Sequence, residues 1–175
     1  SADIGRALAG MYADAGAQVV GTYRSRDGLT DLEGRSNVRL LPCDVGVRAS
    51  IDEMLAAYGT LAAAPWDLFI SAVGTMEPIG PWPSLDFDAW EQSVTVNSLA
   101  QLRVLHGLYP HRKPGLAHAA LFAGGGTNNP FTNYSAYCVS KIMLIKMCEL
   151  IDDEVIYQRA DAVYGVRLTA DGELD

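Results

Sequence analysis

The chain has 175 residues, 49% of them hydrophobic, and a formal charge of −8 at pH 7. That length and apolar content suit one domain, residues 1–175, with a substantial core. The acidic balance argues against a nucleic-acid partner, which would call for a basic stripe. No apolar run reaches the length that a bilayer span needs, so no membrane partner is expected. Cys43, Cys138 and Cys148 lack metal-ligand spacing, as do His106, His111 and His118. No metal site is expected, and reduced thiols in a cytoplasmic protein are the simpler reading.

Taken in order, Ser1 to Tyr12 has helical periodicity, with Ile4, Leu8, Met11 and Tyr12 on one face. Asp3 or Ser1 would cap that helix, and Ala15-Gly16-Ala17 would end it. Residues 18–23 read as a strand, 24–28 as a polar turn and 37–41 as a second strand. A modest helix over 47–58 follows, around Ile51, Met54 and Leu55. Residues 66–71 form a third strand, and Pro78, Gly80, Pro81 and Pro83 keep the next stretch irregular. A long helix starts at Asp86, with Trp90, Val94, Asn97, Gln101, Val104, Leu105 and Leu108 near its apolar stripe.

A strand over 117–122 leads into Gly124-Gly125-Gly126 and then a helix carrying Tyr137 and Lys141. Strands that alternate with helices, and that read apolar on both faces, imply a parallel sheet covered by helices, a three-layer α/β domain. Tyr137 and Lys141 are four residues apart and share one helix face. A phenol with an ordinary pKa near ~10 is a poor proton donor or acceptor at neutral pH. An adjacent ammonium is expected to lower that value toward the working range.

With these elements in order, the chain resembles the short-chain dehydrogenase/reductase family over Ser1 to about Glu154. Tyr137-Cys138-Val139-Ser140-Lys141 fits the family's YxxxK, and Asn97 in Thr95-Val96-Asn97 falls at its active-site asparagine. Asp44 in Cys43-Asp44-Val45 matches the aspartate that contacts the adenine, and Gly5 looks like the last glycine of TGxxxGxG. The resemblance implies a Rossmann-like, doubly wound parallel sheet and a nicotinamide cofactor. It implies Tyr137, Lys141 and Asn97 as catalytic, Asn97 by holding a helix bulge and a water. Ile4, Gly5, Tyr23, Arg24, Asp44, Val45, Gly74 and Lys141 would bind the cofactor. Tyr23 stands where NAD-preferring relatives have an aspartate, and Arg24 with Arg26 suits a 2′-phosphate, so NADP(H) is favoured over NAD(H).

Three departures accompany the match. The position of the family's catalytic serine holds Gly124, which leaves Thr127 and Asn128 as candidates for the substrate-polarising donor. The family's NNAG reads Ser71-Ala72-Val73-Gly74. The first strand and the sixth-strand segment with its substrate loop are expected to be missing, leaving the chain incomplete at its start and near 154–161. Residues 162–170 resemble the family's final strand. The implied activity is interconversion of a carbonyl and a secondary alcohol, with Tyr137 as acid/base. A catalytically weakened NAD(P)-binding sensor or partner subunit is the second reading. A nucleotide-sugar epimerase or dehydratase is the third, resting only on the shared Tyr–Lys pair. The helix after Tyr137 is apolar around most of its circumference, which points to burial on more than one side and to a homodimer or homotetramer.

Overall fold

Gly16 closes the first helix because its φ of 87° is open to a residue without Cβ. Its amide donates to Ala13 O, and the next amide, Ala17, reaches back to Tyr12 O, both at 3.0 Å. This pair of bonds satisfies carbonyls that the helix end would leave bare. The computed structural model describes residues 2–61, 64–156 and 162–166, with side chains over 4–61 and 64–154. The chain divides into two units, Ser1–Ala63 and Ala64–Asp175, and each has its own parallel sheet.

In the first unit, α1 (Ala2–Asp14) precedes β1 (Val19–Tyr23), β2 (Val38–Pro42) and α2 (Arg48–Thr60). The strands pair in parallel from Val19 opposite Val38 to Tyr23 opposite Pro42. Ala13, Leu29, Leu32 and Val38 form the core, with Ala9, Val19, Tyr23 and Leu40 packed on it. Leu29 and Leu32 come from the polar connection between the strands, where no periodic pattern marks them. Asn37 ties that connection to the end of α1 through Nδ2, which donates to Ala13 O at 2.8 Å and Ala17 O at 2.9 Å. The helix expected around Ile51 and Met54 is present, and it buries both together with Tyr58.

The second unit orders its strands β3 (Leu68–Ser71), β4 (His118–Phe122), β5 (Ala162–Val166), all parallel. The crossover from β3 to β4 carries α3 (Phe87–Val94), a π-helical turn over Thr95–Leu99, and α4 (Ala100–Leu108). Asp86 caps α3, its carboxylate accepting from the amides of Asp88 and Ala89. The crossover from β4 to β5 is α5 (Ser135–Ile156). Leu144 and Cys148 of α5 pack on Leu121 of β4, with Phe69 and Leu102 alongside. Complete burial of a leucine such as Leu144 stabilises by about 1.5–3 kcal/mol.

One sequence expectation changes here. The third strand begins at Leu68, and Trp66 makes only an isolated bridge to Arg112. Trp66 is held instead by its indole, which donates to Leu108 O at 2.8 Å. The strand 162–166 comes after α5 in the sequence and pairs in parallel with β4. Ser1, the junction 157–161 and the tail 167–175 lie outside the described residues. Within the single chain, Val139, Ile142 and Leu150 of α5 are exposed. Among the described residues no strand joins the two sheets.

Candidate active site

The site is assembled where β4 ends. Ala123 and Gly124 continue the buried strand direction, and Gly126 turns the chain with a φ of 84°. A Cβ on Gly126 would run into Cys138 Sγ and lie 2.8 Å from Phe131 Cβ, so the turn is pressed against the start of α5. Phe131 and Tyr134 stack at 4.2 Å between ring centroids. Ser135, the first residue of α5, accepts a hydrogen bond from the Trp90 indole at 3.0 Å. That bond pins the tyrosine-bearing turn of α5 to α3.

One turn into α5, Tyr137 is half-buried and Lys141 only 3% exposed. Lys141 Nζ lies 5.7 Å from the centroid of the Tyr137 ring. Desolvation by its surroundings lowers the pKa of Lys141 to about 8. Burial also raises the Tyr137 phenol above its ordinary value, with the neighbouring Cys138 adding to the shift. The direction is opposite to the lowering expected from the lysine, because loss of water around the hydroxyl disfavours the phenolate.

The two shifts have opposite consequences for stability. Between about pH 8 and the ordinary lysine value of 10.5 the unfolded chain binds the extra Lys141 proton, so stability rises with pH in that window. Above the ordinary tyrosine value of 10.0 the folded chain holds the Tyr137 proton longer, and stability falls. Lys141→Met is expected to remove the rise, read by denaturant unfolding at a series of pH values above 8. A rise that persists in the variant would assign it to another group.

Asn97 sits at the middle of the π-helical turn and is fully buried. Its Oδ1 accepts from the Thr75 amide at 2.9 Å, and its Nδ2 donates to Thr75 O at 2.8 Å and to Ser93 Oγ at 3.1 Å. Both backbone groups of Thr75, just beyond β3, are thus satisfied by one side chain. The wider turn leaves carbonyls without their usual helical partners, and π turns recur at functional sites for this reason. Gln101 Nε2 donates to two carbonyls of this turn, Asn97 O at 2.7 Å and Val96 O at 3.3 Å, and to Val73 O beyond β3 at 3.2 Å. Its Oε1 accepts from Ser71 Oγ at 2.8 Å. Gly74 lies inside this network, where a Cβ would come 3.3 Å from Asn97 Oδ1 and 3.8 Å from Lys141 Nζ. Tyr137, Lys141, Asn97 and Gly74 therefore form one constellation in the second unit. Thr127 is half-buried and Asn128 exposed, and neither makes a hydrogen bond among the described residues.

The remaining expected cofactor residues lie in the first unit. Ile4 is exposed and Gly5 half-buried near the start of α1. At the end of β1, Tyr23 Oη accepts from Arg26 Nε at 3.0 Å, and Arg26 also lies 3.8 Å from Glu33. Arg24 is exposed and carries no hydrogen bond or ion pair among the described residues. Beyond β2, Asp44 Oδ1 accepts from the Gly46 amide and the Asp44 amide donates to Ser50 Oγ, each at 2.9 Å. These bonds fix the turn that holds Asp44 and the half-buried Val45.

A family model described as Enoyl-(Acyl carrier protein) reductase matches residues 1–155. The chain belongs to the short-chain dehydrogenase/reductase family. Solved structures agree in fold. A short-chain dehydrogenase from Streptomyces avermitilis has a TM-score of 0.81 and 23% identity over 92% of this chain. The chain spans 59% of the length of that protein. A short-chain dehydrogenase/reductase from Burkholderia vietnamiensis has a TM-score of 0.79 and 22% identity, over 95% of this chain and 80% of its own. Serine dehydrogenase from Escherichia coli has a TM-score of 0.78 and 19% identity, over 90% of this chain and 74% of its own. No curated protein sequence matches.

Within this short-chain dehydrogenase/reductase frame, sequence reasoning misses Gln101 and Ser93. Gln101 falls on an apolar stripe in sequence because its spacing from Asn97 and Leu105 fits one. The signal available is its type: a glutamine on a buried helix face needs polar partners. Ser93 stands four residues before Asn97, the spacing of a shared helix face.

Proposed function

We propose that the chain acts as an NADP(H)-dependent oxidoreductase that interconverts a carbonyl and a secondary alcohol. The observation that carries this reading is Lys141, only 3% exposed, with its Nζ 5.7 Å from the Tyr137 ring centroid and 3.8 Å from where a Cβ on Gly74 would stand. Taking a cation out of water is costly, and hydroxyl groups of a cofactor ribose would offer the Lys141 ammonium acceptors there. Lys141 and Gly74 would hold that part of the cofactor, while Gly5, Ile4, Asp44 and Val45 would take its pyrophosphate and adenine portions. Arg24 and Tyr23 would read the 2′-phosphate. A bound nicotinamide supplies or accepts the hydride.

The protein's own part is proton transfer and placement. In reduction the Tyr137 hydroxyl donates its proton to the carbonyl oxygen, and Lys141 stabilises the phenolate left behind. In oxidation the phenolate takes the alcohol proton back. The raised phenol keeps its proton at neutral pH, and the phenolate formed when it donates needs the Lys141 charge. Asn97 and Gln101 hold the loop after β3 so that Gly74 stays clear of Lys141. The charge on Lys141 is needed throughout, so kcat/KM for reduction should fall as pH climbs past about 8.

A catalytically weakened dinucleotide-binding protein is the second reading, favoured by Gly124 at the serine position. Turnover separates the two: NADPH consumption with any carbonyl of a ketone, aldehyde and sugar panel supports the enzyme, and binding without consumption supports the sensor. The cofactor preference has its own test. Arg24→Ala is expected to weaken NADPH binding by about 1.5–3 kcal/mol, roughly ten- to hundredfold, as loss of a charged hydrogen bond does. NADH affinity should stay unchanged, and an equal loss for both cofactors would overturn the assignment. The exposed Val139, Ile142 and Leu150 face of α5 supports a homodimer or homotetramer. Among the described residues no helix is long and apolar enough to cross a membrane, and a cytoplasmic location fits the free Cys43, Cys138 and Cys148.

A further inference from the structure

Gly124 is buried where β4 runs out, at the position that the family gives to a serine. A Cβ placed on it would collide with Tyr137 Oη and would lie 2.6 Å from Tyr137 Cζ and 2.8 Å from Cε1. Real Cβ atoms do not approach other atoms so closely, and here the neighbour is a half-buried ring rather than the end of a flexible chain. Its ring is carried on a helix whose first turn is held by the Trp90–Ser135 bond and by the Gly126–Cys138 packing. Those contacts fix the Tyr137 backbone, so room for a side chain at Gly124 has to come from rotation of the ring. The volume of the absent serine side chain is thus occupied by the tyrosine's hydroxyl end.

We infer that Gly124 is a positioning residue: lacking a side chain, it lets the Tyr137 hydroxyl lie against the end of β4, so that one hydroxyl both polarises the substrate oxygen and exchanges its proton. The inference rests on the acid/base role proposed for Tyr137. It removes the need for Thr127 or Asn128 to replace the serine. It also reverses the simplest repair experiment, because a serine at this position would displace the catalytic phenol instead of assisting it.

The test is a comparison of Gly124→Ala and Gly124→Ser on the full-length protein, each with Tyr137 intact and with Tyr137→Ala. With Tyr137 intact, both substitutions are expected to lower Tm by several degrees, as overpacking does. Turnover should fall by about a hundredfold, the cost of a misplacement near 1 Å, with serine no better than alanine. In the Tyr137→Ala background the Tm loss should vanish, because the colliding ring is gone. The Tyr137 absorbance titration, isolated by subtracting a matched Tyr137→Phe protein, should move toward the ordinary phenol value when Gly124→Ala pushes the ring outward. A Gly124→Ser enzyme faster than wild type would overturn the inference, and so would a Tm loss or failure to fold that persists with Tyr137→Ala. A wild type that turns over no carbonyl would remove the acid/base reading alone, since the Tm coupling does not depend on activity.

Discussion

Tyr137→Phe should lower turnover by about 10²–10⁴-fold, the usual contribution of a positioned general acid, while leaving the fold intact. The ring stays in place against Gly124, and only the proton-bearing oxygen is lost. Lys141→Met is expected to act as strongly by a different route. The phenolate formed when Tyr137 gives up its proton has burial working against it, and Lys141 is the buried cation beside the ring. Without that charge the phenol stays a reluctant donor, and the alkaline limb of the pH profile near pH 8 disappears with the lysine. A Tyr137→Phe enzyme with more than a tenth of wild-type turnover would show that another group moves the proton.

The second large effect belongs to Asn97. Asn97→Leu keeps the volume but strips the Thr75 amide and carbonyl of their partner and leaves Ser93 Oγ without its donor. Each buried polar group left unsatisfied costs about 1–3 kcal/mol, so the variant should lose several kcal/mol in urea unfolding. Activity should fall beyond what the stability loss explains, because the loop carrying Gly74 is no longer tied back from Lys141. Asn97→Asp is the informative companion. It keeps the acceptor for the Thr75 amide while facing the Thr75 carbonyl with a carboxylate, so it should destabilise as well. A loss within about 0.5 kcal/mol, the range of an ordinary surface change, would mean that the clamp is not what holds the loop.

Most of the element order is legible in the sequence because hydrophobic period separates strands from helices, and the chain alternates them cleanly. Tyr137 and Lys141 are legible for the same reason: a four-residue spacing fixes a shared face once the helix is placed. Asn97 is legible by resemblance, and its fully buried position on a π-helical turn matches the bulge expected there. What spacing does not show is how that turn changes its neighbours. Gln101 stays on the buried stripe, and its amide donates to the Val96 and Asn97 carbonyls of the π-helical turn, which calls for a polar residue where the pattern reads as apolar. Leu29 and Leu32 enter the core from a polar connection whose turns, not its periodicity, aim them inward. Gly124 reads as a deficit in sequence because the contact that explains it spans β4, the glycine turn and α5.

The central claim is that Tyr137, supported by Lys141, moves the proton in an NADP(H)-dependent carbonyl–alcohol interconversion. The most direct measurement is NADPH consumption by the full-length protein over a panel of ketones, aldehydes and sugars, run beside Tyr137→Phe with NADPH binding measured for both. The account predicts turnover by wild type, loss of about 10²–10⁴-fold in the variant, and equal NADPH affinity. Turnover that survives the loss of the hydroxyl, or NADPH binding with no turnover of any carbonyl, would contradict it.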